Sequence, residues 1–123
     1  MVLVDTSVWI ALYRGEKTNL GQRMWALTAA NEAAVCGQIW VEFLGGFRKE
    51  KQRLEFESSL RAFPFLPTSR EAYECAAHLL ARHPRLGAGD AVIAATALTN
   101  DSSLLTLDHD FESLVCEGLD LFA

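Results

Sequence analysis

Four carboxylates stand where the sequence otherwise reads as core. Asp5 follows Val2-Leu3-Val4, and Glu42 is embedded in Ile39-Trp40-Val41-Glu42-Phe43-Leu44. Asp90 opens Ala91-Val92-Ile93-Ala94-Ala95, and Asp108 follows Leu104-Leu105-Thr106-Leu107. An ionised carboxylate taken out of water is costly unless it is paired or holds a cation. Basic partners are unevenly supplied. The three lysines, Lys17, Lys49 and Lys51, all fall in the first half, and from Asp90 onward there are seven acids and no Lys or Arg. Carboxylates gathered without cations repel one another and resist ionisation. A divalent cation relieves that repulsion, and an all-oxygen donor set with no Cys/His cluster suits Mg2+ or Mn2+.

Each acid taken alone also has a purely structural role open to it. Asp5 can cap a helix beginning at Thr6, Asp108 or Asp110 one beginning near Phe111, and Asp90 one that follows Gly87-Ala88-Gly89. Glu42 is harder to place as a cap, because it lies mid-helix among aromatic residues. Four such positions in one small chain argue for a shared site.

The elements that must position these acids alternate in type. Val2–Asp5 reads as a strand apolar on both faces, followed by a helix over Thr6–Tyr13, a break at Arg14-Gly15-Glu16-Lys17 and a helix over Leu20–Asn31. Ala33–Cys36 is a second strand, followed by helices over Gln38–Phe47 and Glu50–Arg61. Phe63–Leu66 is a weak third strand whose Pro64 suggests a sheet edge. Thr68 or Ser69 caps a helix over Arg70–Arg82, and a further helix spans Asp90–Leu98. Ser103–Thr106 is a fourth strand, a short helix follows Asp108 or Asp110, and Leu119–Phe122 is a last short strand. Strands alternating with helices predict an α/β fold: a central parallel sheet of about five short strands with helices on both faces. Ligands of such folds sit beyond the carboxyl ends of the strands. Asp5 and Asp108 both fall there.

Other properties bound the function. The chain has 123 residues, half of them hydrophobic, which fits one packed domain over residues 1–123. Its formal charge of −5 argues against a broad nucleic-acid surface. The dense basic stretch Arg48-Lys49-Glu50-Lys51-Gln52-Arg53 is a candidate contact for RNA phosphate or an acidic partner, or else a solvated helix face. Cys36, Cys75 and Cys116 show no zinc spacing and read as buried free thiols in a reducing compartment. With no leader pattern and no apolar run long enough for a membrane, the expected location is cytoplasmic. His78, His83 and His109 read as surface or capping residues. Trp9 and Trp40 read as core, and the apolar excess leaves room for an interface.

The ordered set of Asp5-Thr6-Ser7 after the first strand, Glu42 mid-helix after the second, GDAVIAATAL from Gly89 and LLTLDHDF from Leu104 resembles the PIN domain. More narrowly, it resembles the VapC-type toxin ribonucleases of toxin–antitoxin pairs. The resemblance spans essentially the whole chain, although Gly87-Ala88-Gly89 stands where larger residues are expected. It implies metal-assisted hydrolysis of RNA, with Asp5, Asp90 and Asp108 binding Mg2+ or Mn2+ and Glu42 positioning or deprotonating the attacking water. Thr6, Ser7 and Thr106 would supply supporting hydroxyls, and Asp110 would either join the metal site or cap a helix. The implied partners are an RNA substrate, a cognate antitoxin and a second copy of the chain, with no membrane. A receiver domain is disfavoured because no lysine follows Lys51, and an Asp-x-Asp phosphatase because residue 7 is Ser. A P-loop is absent. A PIN-like module that binds without cutting is the remaining alternative.

Overall fold

The computed structural model describes residues 1–16 and 19–123. Lys17, the end of the expected break after the first helix, lies outside the described residues. The elements in order are β1 (Val2–Val4), α1 (Thr6–Arg14), α2 (Leu20–Ala29), β2 (Ala33–Cys36), α3 (Gly37–Gly45), α4 (Glu50–Leu60), β3 (Phe65–Leu66), α5 (Arg70–Arg82), α6 (Ala88–Thr99) and β4 (Ser103–Leu105). A 3-10 helix, His109–Glu117, follows.

The strands form one parallel sheet in the order β3-β2-β1-β4. Successive side chains of a strand point to opposite faces. Every residue of β1 and β2 is nevertheless buried, so both faces of the sheet are covered. The expected α/β architecture is therefore present, with β1 central and Asp5 immediately beyond its carboxyl end. The proline reading also holds. β3 is an edge strand, and Pro64 contributes only its carbonyl, which accepts from the Val35 amide at 2.9 Å.

Two boundaries differ for identifiable reasons. The expected last strand at Leu119–Phe122 is a single bridge between Leu104 and Leu121. Gly118, at φ 100°, turns the chain out of the 3-10 helix only just before it reaches the sheet. Helix α6 starts at Ala88 rather than Asp90, because Gly87 is extended and the helix begins directly after it. Asp90 thus lies in the first turn and not at the cap. Cys36 is buried as expected, whereas Cys75 is half-buried on α5 and Cys116 is exposed near the end of the 3-10 helix. All three are free thiols.

The core is aliphatic around the sheet and aromatic beside it. Past Asp90, α6 is mostly apolar and almost fully buried through Ala91 and Ile93–Ala97, as a central helix should be. Trp9 packs on Phe43 and Phe63 and donates its indole N–H to the Val4 carbonyl at 2.9 Å, which ties α1 to the end of β1. Trp40 is half-buried against Phe65, and Trp25 is 77% exposed. Ser69 caps α5 by accepting from the Ala72 amide at 3.2 Å. No described helix is long and apolar enough to cross a membrane.

Candidate active site

Asp5 is buried at the carboxyl end of β1 and does not cap α1 with its side chain. Its Oδ2 accepts from Ser7 Oγ and Thr106 Oγ1, each at 2.8 Å. A hydroxyl carries one proton. With both protons directed at Asp5, the 3.4 Å approach of the two hydroxyl oxygens is a contact rather than a bond. Their lone pairs accept instead from the Leu107 amide (3.1 Å, to Ser7) and the Asp108 amide (3.0 Å, to Thr106). This lattice ties the end of β1 to the turn after β4, and it accounts for the placement of Ser7 and Thr106. Burial pushes the Asp5 carboxyl above its ordinary value. The two hydroxyls, and then the Thr6 and Ser7 amides, work against that.

Glu42 is half-buried on α3 and held at both oxygens. Thr6 Oγ1 donates to Oε1 at 2.6 Å, and Gln38 Nε2 donates to Oε2 at 2.8 Å. Gln38 was not among the residues expected at the site. Its signal is the i,i+4 spacing to Glu42, which places both on one helix face. Gly89 is the second unexpected participant. A Cβ at this position would run into the Glu42 carboxylate and come within 3.0 Å of Gln38 Nε2. The small residue before Asp90, odd in the sequence, is thus the opening through which α3 and the start of α6 approach.

Asp108 combines its two readings. Its Oδ1 accepts from the Asp110 amide at 2.9 Å, capping the 3-10 helix, and the residue also belongs to a carboxylate cluster. One oxygen from each of Asp90, Asp108 and Asp110 lies within 4.8 Å of the other two. Asp110 therefore joins this group geometrically, while Asp5 stands next to it rather than within it. Burial first, and then Asp108, Asp5, Glu42 and Asp110, raise the Asp90 carboxyl to about 6. The other four acids are thus all close enough to act on Asp90. None forms a salt bridge to Lys, Arg or His among the described residues. The donor set, hard oxygens short of positive charge, fits Mg2+ or Mn2+.

The expected basic contact is only partly near this site. Arg48 lines a cavity of about 310 Å³ together with Glu42, Tyr13, Phe47 and Gln52. Lys49 and Lys51 are exposed outside its lining, and Arg53 pairs with Glu50 at 3.8 Å. A larger cavity, about 460 Å³, opens beside Asp110 between the end of α5 and the 3-10 helix. His78 is exposed, His109 is exposed and paired with Glu112, and His83 contacts Glu117.

Residues 2–115 match the PIN domain family. Ribonuclease VapC10 of Mycobacterium tuberculosis (strain CDC 1551 / Oshkosh) is 32% identical over 114 residues, covering 88% of this chain and 83% of that one. A toxin–antitoxin complex from Klebsiella pneumoniae contains a chain of 28% identity and TM-score 0.76, with 90% of each chain covered. VapBC2 from Rickettsia felis, bound to a DNA fragment from its promoter, matches in fold with TM-score 0.82 at 17% identity, over 99% of this chain and 98% of that one. The chain belongs to the PIN domain family.

Proposed function

We propose that this member of the PIN domain family is a single-domain endoribonuclease, dependent on Mg2+ or Mn2+, that acts as the toxin of a toxin–antitoxin pair. The observation that carries the reading is the cluster of Asp90, Asp108 and Asp110, flanked by Asp5 and Glu42 and without a cationic partner among the described residues, at the carboxyl end of the parallel sheet. The similarity to a ribonuclease named VapC10 and to a toxin–antitoxin complex supports the substrate class and the partner. A cognate antitoxin and a second copy of the chain are the proposed protein partners.

In this reading Asp90 and Asp108 hold the metal, with Asp5 and Asp110 completing the oxygen set directly or through water. A bound Mg2+ or Mn2+ supplies a water of lowered pKa and offsets negative charge on the phosphate and the leaving oxygen. Thr6 and Gln38 fix Glu42 by one hydrogen bond to each oxygen. Each oxygen keeps a further lone pair, so Glu42 accepts the proton of the attacking water as its oxygen bonds to phosphorus and the P–O bond to the leaving group breaks. Ser7 and Thr106 aim Asp5 and offset part of the burial that raises its carboxyl. No covalent enzyme intermediate is needed.

The test is cleavage of a structured RNA by purified, antitoxin-free protein with Mg2+ or Mn2+, beside EDTA and a folded Asp5→Asn variant. Cleavage that needs metal and is lost in the variant is the expected result. Folded, metal-loaded protein that binds several RNAs without cutting any would replace the nuclease with a binding module.

A further inference from the structure

The cavity beside Asp110 is lined by Arg82, His83, Arg85, Leu86, His109 and Ser113 among others, and encloses about 460 Å³. It gathers two guanidiniums and two imidazoles in a chain whose net charge is −5. The grouping is organised from behind. Glu117, whose side chain is only 15% exposed, accepts from Arg82 at 2.9 Å and contacts His83 Nε2 at 3.0 Å. One carboxylate thereby orients two rim residues, and Arg82 uses only Nη1 on it, leaving the rest of its fork for another acceptor. Arg85 is exposed and forms no ion pair among the described residues. Ser113 adds a hydroxyl on the opposite wall, on the 3-10 helix.

We propose that this cavity is a subsite for a backbone phosphate of the RNA strand, adjacent to the phosphate that is cut. The inference rests on the nuclease reading above. Planar guanidinium forks match phosphate oxygens in bidentate geometry, and they are more weakly hydrated than an ammonium. Asp110 is shared between the cavity and the carboxylate cluster, so a strand whose one phosphate lies at the acids meets the arginines with its neighbour. Asp110 opposes an anion only while its own charge is unscreened, and a cation held by the cluster removes that opposition. An acidic protein also needs such a local foothold, since its overall field repels RNA. An acidic peptide is the less favoured occupant, because it lacks the second anionic group that would reach the metal cluster at a fixed distance along the same strand.

The experiment measures binding of a labelled single-stranded RNA 12-mer with Mn2+ present in a Glu42→Gln background, which slows cleavage. Arg82→Ala and Arg85→Ala are added singly, with Arg70→Ala, on the outer start of α5, as the control. Each cavity variant should weaken binding about tenfold and reduce the slope of log affinity against log salt by about 0.7, the value for one phosphate contact on a single strand. Arg85→Lys should restore part of the affinity. In the Glu42 parent, Arg85→Ala should raise KM and leave kcat nearly unchanged. Unchanged RNA affinity and salt slope in both Ala variants would overturn the subsite. So would losing affinity only for a hexaglutamate peptide, which would assign the cavity to an acidic partner. Failure of the nuclease reading looks different: the parent binds the RNA with Mn2+ and leaves it intact, while the arginine variants still bind it less tightly.

Discussion

Asp90 and Glu117 are both half-buried acids near helix ends, and each is driven against the field of its own helix. Asp90 lies in the first turn of α6, where the macrodipole favours a negative charge, yet its carboxyl is raised to about 6. Glu117 ends the 3-10 helix, where negative charge is disfavoured, yet the His83 ring and, after an opposing effect of burial, Arg82 hold its carboxyl below the ordinary value. A helix end is worth about 0.3–1 kcal/mol, and one pKa unit about 1.4 kcal/mol. At Asp90, burial and the neighbouring acids therefore outweigh the helix. Arg82 and the contact with His83 make Glu117 a structural tie, whereas burial and four acidic neighbours leave Asp90 short of positive charge.

The comparison breaks most visibly at the residue assigned to proton transfer. Glu42→Gln keeps the shape and hydrogen-bonding size of the side chain but removes the base. Single-turnover cleavage should fall roughly 10²- to 10⁴-fold while Mn2+ affinity changes little. Next comes Gly89→Ala, where the new methyl displaces the end of a flexible Glu42 side chain and leaves the backbone in place. A displacement of about 1 Å at a reacting group costs up to about 100-fold in kcat. Thermal scans should show the fold intact, and an unchanged kcat would remove Gly89 from the positioning of Glu42.

Asp90→Asn sharpens the contrast through stability. A carboxyl raised in the folded protein contributes stability at low pH that is lost as pH climbs from its ordinary value of 3.8 through about 6. Without metal, the variant should therefore melt above wild type near neutral pH, and the difference should close toward about pH 4. Added Mn2+ should raise the wild-type melting temperature and leave the variant almost unmoved. The smallest effect belongs to Glu117→Gln. Its carboxyl is lowered in the folded protein, so its contribution exists above the ordinary carboxylate range and fades as pH falls. A loss of a few degrees in melting temperature at neutral pH, vanishing in acid, is the expected scan.

The sequence carried the frame of this arrangement because period and punctuation are local. Apolar runs marked β1, β2 and β4, and Pro64 marked an edge. The acids were legible because each interrupted such a run. What was not legible depends on distances between elements. Asp110 could not be separated from a capping role until Asp90 was placed beside it, and Gly89 looked anomalous until α3 was packed against it. Arg82, His83 and Arg85 lie in a helix end and a loop that have no periodic signal for a cavity. The basic run at Arg48–Arg53 was conspicuous in one dimension, yet only Arg48 lines a cavity with a site acid.

The bond from Thr106 to Asp5 joins residues 101 positions apart, and β1 is flanked on one side by β4, one of the last elements of the sheet. Contacts of such separation form late, after most of the loop-closure entropy has been met. During synthesis, a ribosome carrying the first hundred residues holds Asp5, Glu42 and Asp90 but neither Thr106 nor Asp108. The nascent chain is thus without the complete group of acids until nearly all of this fold has been translated.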